Sequence, residues 1–213
     1  ISYRFNPSYD WFAELSLELR LMPNLSFILS PLYQKTYEFA QYVDTYTDPT
    51  ATETYGSRYV FGELHQQTLS ASIRLNWTFT PHLSLQLYVQ PLISAGDYTN
   101  YKELSEPGTY DFMIYGTDGS TFDPETNTAD PDGNGPAQPI EIDNPDFNVR
   151  SLRGNAVLRW EYLPGSVIYF VWTQTRSEAE EIGDFKFEES MTKMVQAEPD
   201  NIFMIKVTYW LNF

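Results

Sequence analysis

Residues 69–79 read LSASIRLNWTF and alternate between two kinds of side chain. One set is apolar and the other is polar or cationic: Leu69, Ala71, Ile73, Leu75, Trp77 and Phe79 against Ser70, Ser72, Arg74, Asn76 and Thr78. Since successive side chains of a β-strand point to opposite faces, the pattern predicts a strand with one apolar and one polar face. Its length of 11 residues matches the about 9–11 residues that a tilted strand needs to cross a bilayer.

The alternation recurs along the chain, first at residues 11–21, which read WFAELSLELRL. Short proline turns separate neighbouring runs: Met22-Pro23-Asn24, Thr80-Pro81-His82 and Leu163-Pro164-Gly165. Proline suits such turns because it fixes φ and needs no ladder partner. We therefore predict the end of one strand at 1–5 and seven complete strands, at residues 11–21, 25–35, 57–79, 83–95, 150–162, 166–176 and 201–213.

Long connections, at residues 36–56, 96–149 and 177–200, alternate with these short turns. Tight periplasmic turns and long external loops are typical of outer-membrane barrels. The pattern predicts an all-β fold, a transmembrane antiparallel β-barrel embedded in outer-membrane lipid. Residues 1–213 are then one barrel domain or the C-terminal part of one, with extracellular long loops and a periplasmic C-terminus. Because Ile1 opens as if a strand were already in progress, we expect further strands upstream.

The last strand ends FMIKVTYWLNF at residues 203–213, with every second side chain apolar. Tyr209, Leu211 and Phe213 would form the signal by which the barrel-assembly machinery recognises a final strand.

The alternative to a membrane barrel is a secreted β-sandwich, whose strands also alternate between apolar and polar side chains. Loop asymmetry, aromatic residues near the strand ends and the terminal aromatic favour the barrel.

Composition and the absence of known motifs argue against several classes of function. The formal charge of -16 argues against nucleic acid, whose phosphates would be repelled. The absence of Cys excludes disulfides and thiolate metal sites. No apolar run is long enough for a membrane-spanning helix. No GxSxG, HExxH or phosphate-binding loop occurs, so the chain is not expected to be an enzyme; any hydrolase activity would reside upstream.

Three segments carry a resemblance: DPDGNGPAQ at 130–138, NPDFNVRSLRGNAVLRWEYLPGSVIYFVWTQTR at 144–176, and PDNIFMIKVTYWLNF at 199–213. They resemble an uncharacterised family of Bacteroidota outer-membrane barrel proteins. Longer members of that family carry an N-terminal domain similar to family 9 carbohydrate-binding modules, followed by a large C-terminal barrel. The resemblance implies location and fold for this chain, which has no residues corresponding to the sugar-binding domain.

Asp130, Asp132 and Asn134 space oxygen ligands two residues apart, as calcium loops do. Pro131 interrupts the usual spacing, however, and Asp143 is only a rough substitute for the terminal glutamate. Asp-Gly and Asn-Gly pairs also form ordinary turns. Calcium is therefore the only cofactor to consider, and a solvated turn is the favoured interpretation.

Seven charged residues should point to the barrel interior: Glu14, Glu18, Arg20, Arg74, Arg153, Arg159 and Glu161. One interpretation is a charged pore lining that selects solutes. The favoured one is a network of ion pairs that stiffens the wall, because Arg and Glu occur in similar numbers.

The connection 96–149 is far longer than typical loops, and it holds twelve carboxylates against one lysine, Lys102. Connections of that length are usually functional. We expect a scaffold or receptor subunit that binds another outer-membrane or surface protein, or a glycan, through acidic extracellular loops. The alternative is a porin for small solutes, although eight strands alone leave no open channel and porins need about 16.

Overall fold

The computed structural model describes residues 7–211. Long antiparallel strands, numbered in chain order, account for most of its fold. The strands are β1 (Tyr9–Glu14), β2 (Leu17–Met22), β3 (Leu25–Thr47), β4 (Ser57–Thr80), β5 (Leu83–Leu104), β6 (Phe112–Ile114), β7 (Thr121–Asp123), β8 (Thr128–Asp130), β9 (Ile140–Glu141), β10 (Phe147–Leu163), β11 (Ser166–Glu180) and β12 (Asp200–Thr208). Two-residue turns join β2 to β3, β4 to β5, and β10 to β11. One α-helix in the described part of the chain, α1 (Phe187–Gln196), lies between β11 and β12, and a 3-10 turn spans Thr52–Thr54. The predicted all-β class is confirmed.

The main sheet runs in the order β1, β3, β4, β5, β10, β11, β12, with every pairing antiparallel. β2 also pairs with β3 and continues β1, because the backbone N–H of Leu15 donates to Pro31 O over 3.1 Å between the two segments. The edges of the described sheet are therefore β1 with β2 on one side and β12 on the other. The predicted turns at Pro23, Pro81 and Pro164 are all present.

The register aligns side chains of one kind across the whole sheet. Leu69 lies opposite Tyr33 on β3 and Ile93 on β5, and Arg74 lies opposite Ile28 and Tyr88. Since directly opposite residues share a face, the sheet has one apolar face and one predominantly polar face. The apolar face carries large side chains that remain exposed: Trp11, Leu17, Leu19, Trp77, Trp160, Phe170, Trp172, Phe203, Ile205 and Val207.

The predicted long connections are wrong in their bounds. β3 continues to Thr47, β5 to Leu104 and β11 to Glu180, so much of 36–56, 96–149 and 177–200 is strand. The predicted strand length was tied to the thickness of a bilayer, whereas these strands pair with each other well beyond that length. Connection 177–200 also contains α1, and 96–149 contains a second sheet of β7, β8 and β9.

Two predictions fall outside the described residues: the strand end at 1–5 and the role of Phe213. The final strand begins at Asp200, close to the predicted start, and ends at Thr208. None of the helices within residues 7–211 is both long and apolar enough to span a membrane.

Candidate functional site

The far ends of β3, β4 and β5 and the chain between β5 and β10 form a folded unit, which we call the cap (residues 36–61 and 96–146). Its buried core joins the long strands to the small sheet: Val60, Tyr101, Tyr115, Ala129, Ile140 and Ile142. A connection with its own hydrophobic core has a defined surface, which is a precondition for specific recognition.

Arg58 on β4 connects the turn that follows β3 to β5. Its Nε donates to Asp48 Oδ2 over 2.6 Å, and its Nη1 donates to Glu103 Oε1 over 2.5 Å. Glu103 also accepts a hydrogen bond from the Tyr115 hydroxyl over 3.0 Å. Arg58, Asp48 and Glu103 are all buried, so the positive charge of Arg58 is shared between two buried carboxylates inside the cap.

The pKa shifts in this cluster follow from its geometry. Burial opposes ionisation of Asp48, but hydrogen bonds from Arg58 and Thr50 outweigh it and lower the pKa of Asp48. Burial likewise opposes protonation of Arg58, and the bonds to Glu103 and Asp48 outweigh it and raise the pKa of Arg58. For Tyr115, burial and the charge of Glu103 both raise the pKa of the hydroxyl.

Lys102 is the second internal cation of the cap. Its Nζ donates to Glu63 Oε1 over 2.9 Å and to Phe39 O over 2.8 Å, and it lies 3.5 Å from the centre of the Phe39 ring. Burial lowers the pKa of Lys102, and Glu63 offsets this only in part. Burial also disfavours the Glu63 carboxylate, but donors on Lys102, Asn100 and Tyr37 outweigh it and lower the pKa of Glu63.

Both cations of the cap are therefore used internally. Residues 36–61 and 96–146 contain sixteen carboxylates against Arg58 and Lys102, a formal charge of -14 out of -16 for the chain. Burial of the two cations leaves carboxylates as the only charged side chains exposed on the cap: Asp44, Glu53, Glu106, Asp118, Asp123, Glu125, Glu141 and Asp143. The cap surface is thus acidic without interspersed positive charge, a distribution that attracts cationic partners.

Tyrosine side chains accompany this charge. Tyr55 is 88 % exposed and has a φ of 56°, in the left-handed region that a bulky residue rarely adopts. The turn is held by Asp48 N–H to Gly56 O at 3.0 Å and Gly56 N–H to Ala51 O at 2.8 Å. Tyr42, Tyr59 and Tyr110 are also exposed on the cap. Tyrosine on a fixed backbone is a frequent contact residue in protein interfaces because it buries a large area at low entropic cost.

The candidate calcium loop forms a turn. Asp130 Oδ1 accepts hydrogen bonds from the N–H groups of Asp132 and Gly133, at 3.3 and 2.9 Å, and Asp132 Oδ2 accepts one from Ala137 N–H at 3.0 Å. Asn134 is exposed beside them. Within residues 7–211 no group of three or more His, Cys, Asp or Glu side chains could hold a metal ion. The hydrogen bonds of Asp130 and Asp132 are those of an ordinary turn, and calcium binding stays a prediction.

The seven predicted interior residues all lie on the polar face of the main sheet, as the strand registers require. Two ion pairs form among them, Arg20 with Glu18 at 3.4 Å and Arg159 with Glu161 at 3.2 Å. Glu14, Arg74 and Arg153 make no ion pair with any described residue. The predicted network is thus limited to two local pairs, and the guanidinium of Arg74 instead lies 5.3 Å from the Tyr88 ring centre.

Tyr209 and Leu211 follow β12, and both are exposed. Trp210 N–H donates to Ser166 Oγ over 3.0 Å, which keeps this end beside β11. Their role in assembly stays a prediction.

Sequence analysis names Lys102 only as the one lysine of an acidic connection, and it does not single out Arg58 or α1. A usable signal exists for the two cations, because they are the only positive residues in two strongly acidic segments. For α1 the segment 187–196 is short and mixed in polarity, and its helical state depends on packing against the strands.

Comparison with known families gives the chain its class. It belongs to the family described as a domain of unknown function (DUF5916), whose model matches residues 2–213. A search of curated proteins found no match. Since the family description names no activity, function has to be argued from the geometry above.

Proposed function

We propose that this chain forms part of the wall of an outer-membrane β-barrel and that its extracellular cap is a receptor or scaffold surface for a partner with a basic face. The short turns would lie in the periplasm and the cap outside the cell. The resemblance to Bacteroidota outer-membrane barrel proteins agrees with this location.

The first support is the exposed apolar face, which has aromatic residues toward both ends. Trp77 and Phe79, with ring centres 4.3 Å apart, lie next to one short turn, and Trp160 lies next to another. Toward the opposite end, Trp11 contacts Tyr33 at 5.5 Å and Trp172 stacks on Phe203 at 6.3 Å. Aromatic girdles at both interfaces of an apolar band are typical of transmembrane barrels.

The second support is the stagger of the strands. Leu25, Trp77 and Leu158 lie in one row across the sheet. The first short turn precedes Leu25 directly, the second follows Thr80, three residues beyond Trp77, and the third follows Leu163, five residues beyond Leu158. The number of residues between this row and the short turn therefore grows across the sheet in one direction, as it must when strands are tilted relative to a barrel axis.

The third support comes from the edges. β1 with β2 pairs only with β3 in the described sheet, and β12 only with β11. Unpaired backbone groups are costly in hydrocarbon, so a membrane-embedded sheet has to close. Under this proposal, further strands pair with both edges and complete the barrel.

The single observation that carries the receptor function is the burial of Arg58 and Lys102, which leaves carboxylates as the charged groups that the cap exposes. An acidic surface with exposed tyrosines complements a basic protein face. It repels acidic glycans, so a protein partner is favoured over a charged polysaccharide.

The test begins with cells that express the full-length protein, from which it should fractionate with the outer membrane. A cap variant combines Glu106→Gln, Asp118→Asn and Glu125→Gln, three exposed residues. Asp123 is left intact because its carboxylate accepts hydrogen bonds from Glu125 N–H and the Thr126 hydroxyl. The matched control neutralises three exposed glutamates outside the cap: Glu181→Gln, Glu188→Gln and Glu198→Gln.

Cross-linking and co-purification should recover less partner with the cap variant than with the control, and raised salt should weaken the wild-type complex. Equal recovery of the partner from both variants would contradict the receptor proposal. Recovery of the protein in a soluble fraction would contradict the membrane location.

A porin is the second candidate, because the polar face carries cations that could line a lumen. Arg74, Arg153 and Lys206 form no ion pair among residues 7–211. Such a lining would favour anionic solutes, in contrast to the acidic cap. Conductance and reversal potential in planar bilayers test it, and a silent barrel rules it out.

A further inference from the structure

Helix α1 lies on the apolar side of the sheet. Its Lys193 Nζ donates to both carboxylate oxygens of Glu180, at 2.9 and 3.0 Å. Glu180 belongs to the same row as Asn148 and Ala95, on the face that carries Leu69 and Ile93. The segment that precedes α1 touches this face as well, because Gly183 lies directly against Asp97.

The helix lies immediately beyond the exposed apolar band. On β11 the apolar residues Phe170 and Trp172 are followed on the same face by Gln174 and Arg176. The guanidinium of Arg176 donates to the carbonyl groups of Val195 and Ala197 at the C-terminal end of α1. In the barrel proposed above, this is the level of the outer lipid headgroups.

Two adjacent stripes of α1 are apolar or small, and only one of them is fully buried. Ser190 and Met194 are buried against the strands. Phe187, Met191 and Val195 form a second stripe, because residues four apart share one side of a helix. Phe187 is 50 % exposed and Val195 is 55 % exposed. The described chain therefore leaves about half of Phe187 and Val195 exposed, and Met191 between them is only partly buried.

The second stripe points away from the extracellular end. Helical residues rotate by about 100° each, so Lys193 projects about 200° from Met191 around the helix axis. The Lys193 side chain extends toward Glu180, which is the last residue of β11 and marks the end of the strand away from the short turn. The stripe centred on Met191 therefore faces the opposite way, toward the apolar band of the sheet.

From this position we infer that α1 is an interfacial helix, which rests on the outer surface of the membrane and inserts Phe187, Met191 and Val195 at the boundary between headgroups and acyl chains. The inference rests on the proposed membrane location of the sheet. It adds a second, helical contact with lipid on one side of the barrel.

Lipid is the occupant that the geometry favours, because the stripe continues the apolar band formed by Phe170, Trp172 and Phe203. A second copy of the chain is a poorer candidate. Three side chains over two helical turns fall far below the about 1,200 Å² that a stable protein interface buries. An amphipathic helix with its apolar side at the acyl boundary is a stable arrangement on a membrane.

The chain contains no cysteine, so single cysteines can carry a spin label without background. Val195→Cys samples the stripe, and Thr192→Cys is the control on the exposed polar side of the same helix. Phe170→Cys samples the apolar face of β11 and tests the proposed membrane location. Each full-length variant is reconstituted into phospholipid vesicles, and circular dichroism verifies its sheet content. Accessibility is then measured to oxygen, which enters lipid, and to a water-soluble nickel complex.

The expected result is a several-fold higher oxygen-to-nickel ratio at Val195 than at Thr192, with Phe170 also oxygen-rich. If Phe170 is oxygen-rich but Val195 is as accessible to nickel as Thr192, the interfacial helix is wrong and the proposed function stands. Protection of Val195 from both reagents indicates protein contact and also overturns the inference. Nickel access at Phe170 overturns the proposed membrane location itself.

Discussion

Arg58 Nε donates to Asp48 Oδ2 over 2.6 Å, across the turn that joins β3 to β4. This contact fixes the turn that displays Tyr55, and the same guanidinium reaches Glu103 on β5. One buried cation thus holds three strand ends together. It also removes from the surface one of the two positive charges that would dilute the acidity of the cap.

Replacing Arg58 should loosen the cap. In Arg58→Ala, Asp48 and Glu103 remain buried without a counter-ion, which costs about 3–5 kcal/mol. Faster backbone hydrogen exchange in residues 97–146 measures the loss. Arg153→Ala is the control, since that exposed arginine has no ion-pair partner in the described chain and its removal should change stability by less than about 0.5 kcal/mol. Equal effects of the two substitutions would contradict the role of Arg58.

Acid should destabilise the cap through Asp48. Its folded pKa is lowered, by hydrogen bonds from Arg58 and Thr50 that outweigh the effect of burial, relative to about 3.9 for an unfolded aspartate. Between the two values the unfolded state binds more protons, so the free energy of unfolding rises with pH. The contribution is complete above the unfolded pKa and is lost as pH falls through the folded pKa. Proteolysis of the cap at pH 3 and pH 6 measures it, and Asp48→Asn should flatten the difference.

Alkali should destabilise the fold by ionising tyrosines whose pKa is raised. Burial and the charge of Glu103 raise the pKa of Tyr115, and burial with a hydrogen bond to Glu63 raises the pKa of Tyr37 to about 12. A raised tyrosine pKa stabilises the fold below the unfolded pKa of about 10, and that contribution is lost as pH rises through the folded value. Tyrosinate absorbance should show a late-titrating group that Tyr37→Phe removes. A titration unchanged by Tyr37→Phe would count against the shift.

Gly183 should not tolerate a side chain. A Cβ there would lie 2.4 Å from Asp97 Cβ and 2.6 Å from Asp97 Cα, so backbone would have to move. We expect Gly183→Ala to cost about 1–3 kcal/mol, as overpacking does, and to increase protease cleavage in residues 181–197. Gly108→Ala is the control without overpacking, since nothing lies within 4 Å of a Cβ at Gly108. Because the φ of Gly108 is 75°, this substitution measures backbone strain alone.

The two faces of β4 should respond differently to charge. Ile73→Lys places an ammonium on the apolar face and should cost about 2–4 kcal/mol in a bilayer. Asn76→Lys lies on the same strand but on the polar face, and it should be tolerated. Urea unfolding in vesicles compares them. Equal destabilisation would show that the apolar face does not contact lipid.

Alternation in residues 11–21 and 69–79 was enough to predict strands with two chemically distinct faces, and the proline turns located the hairpins. The alternation did not predict where β3 and β5 end. Residues such as Phe39, Tyr98 and Tyr101 interrupt strict alternation, because in the cap both sides of a strand are covered and either side can be apolar.

The sequence by itself determined what nearest neighbours along the strands control: the strand class, the short turns, the division of the sheet into faces and the concentration of acid in two segments. Only the tertiary structure decided which charges cancel and where α1 lies. Arg58 meets Glu103 across 45 residues, and Lys193 meets Glu180 only after the chain has turned back along the sheet. Such long-range contacts depend on how the connections fold against the strands, and no local periodicity encodes that.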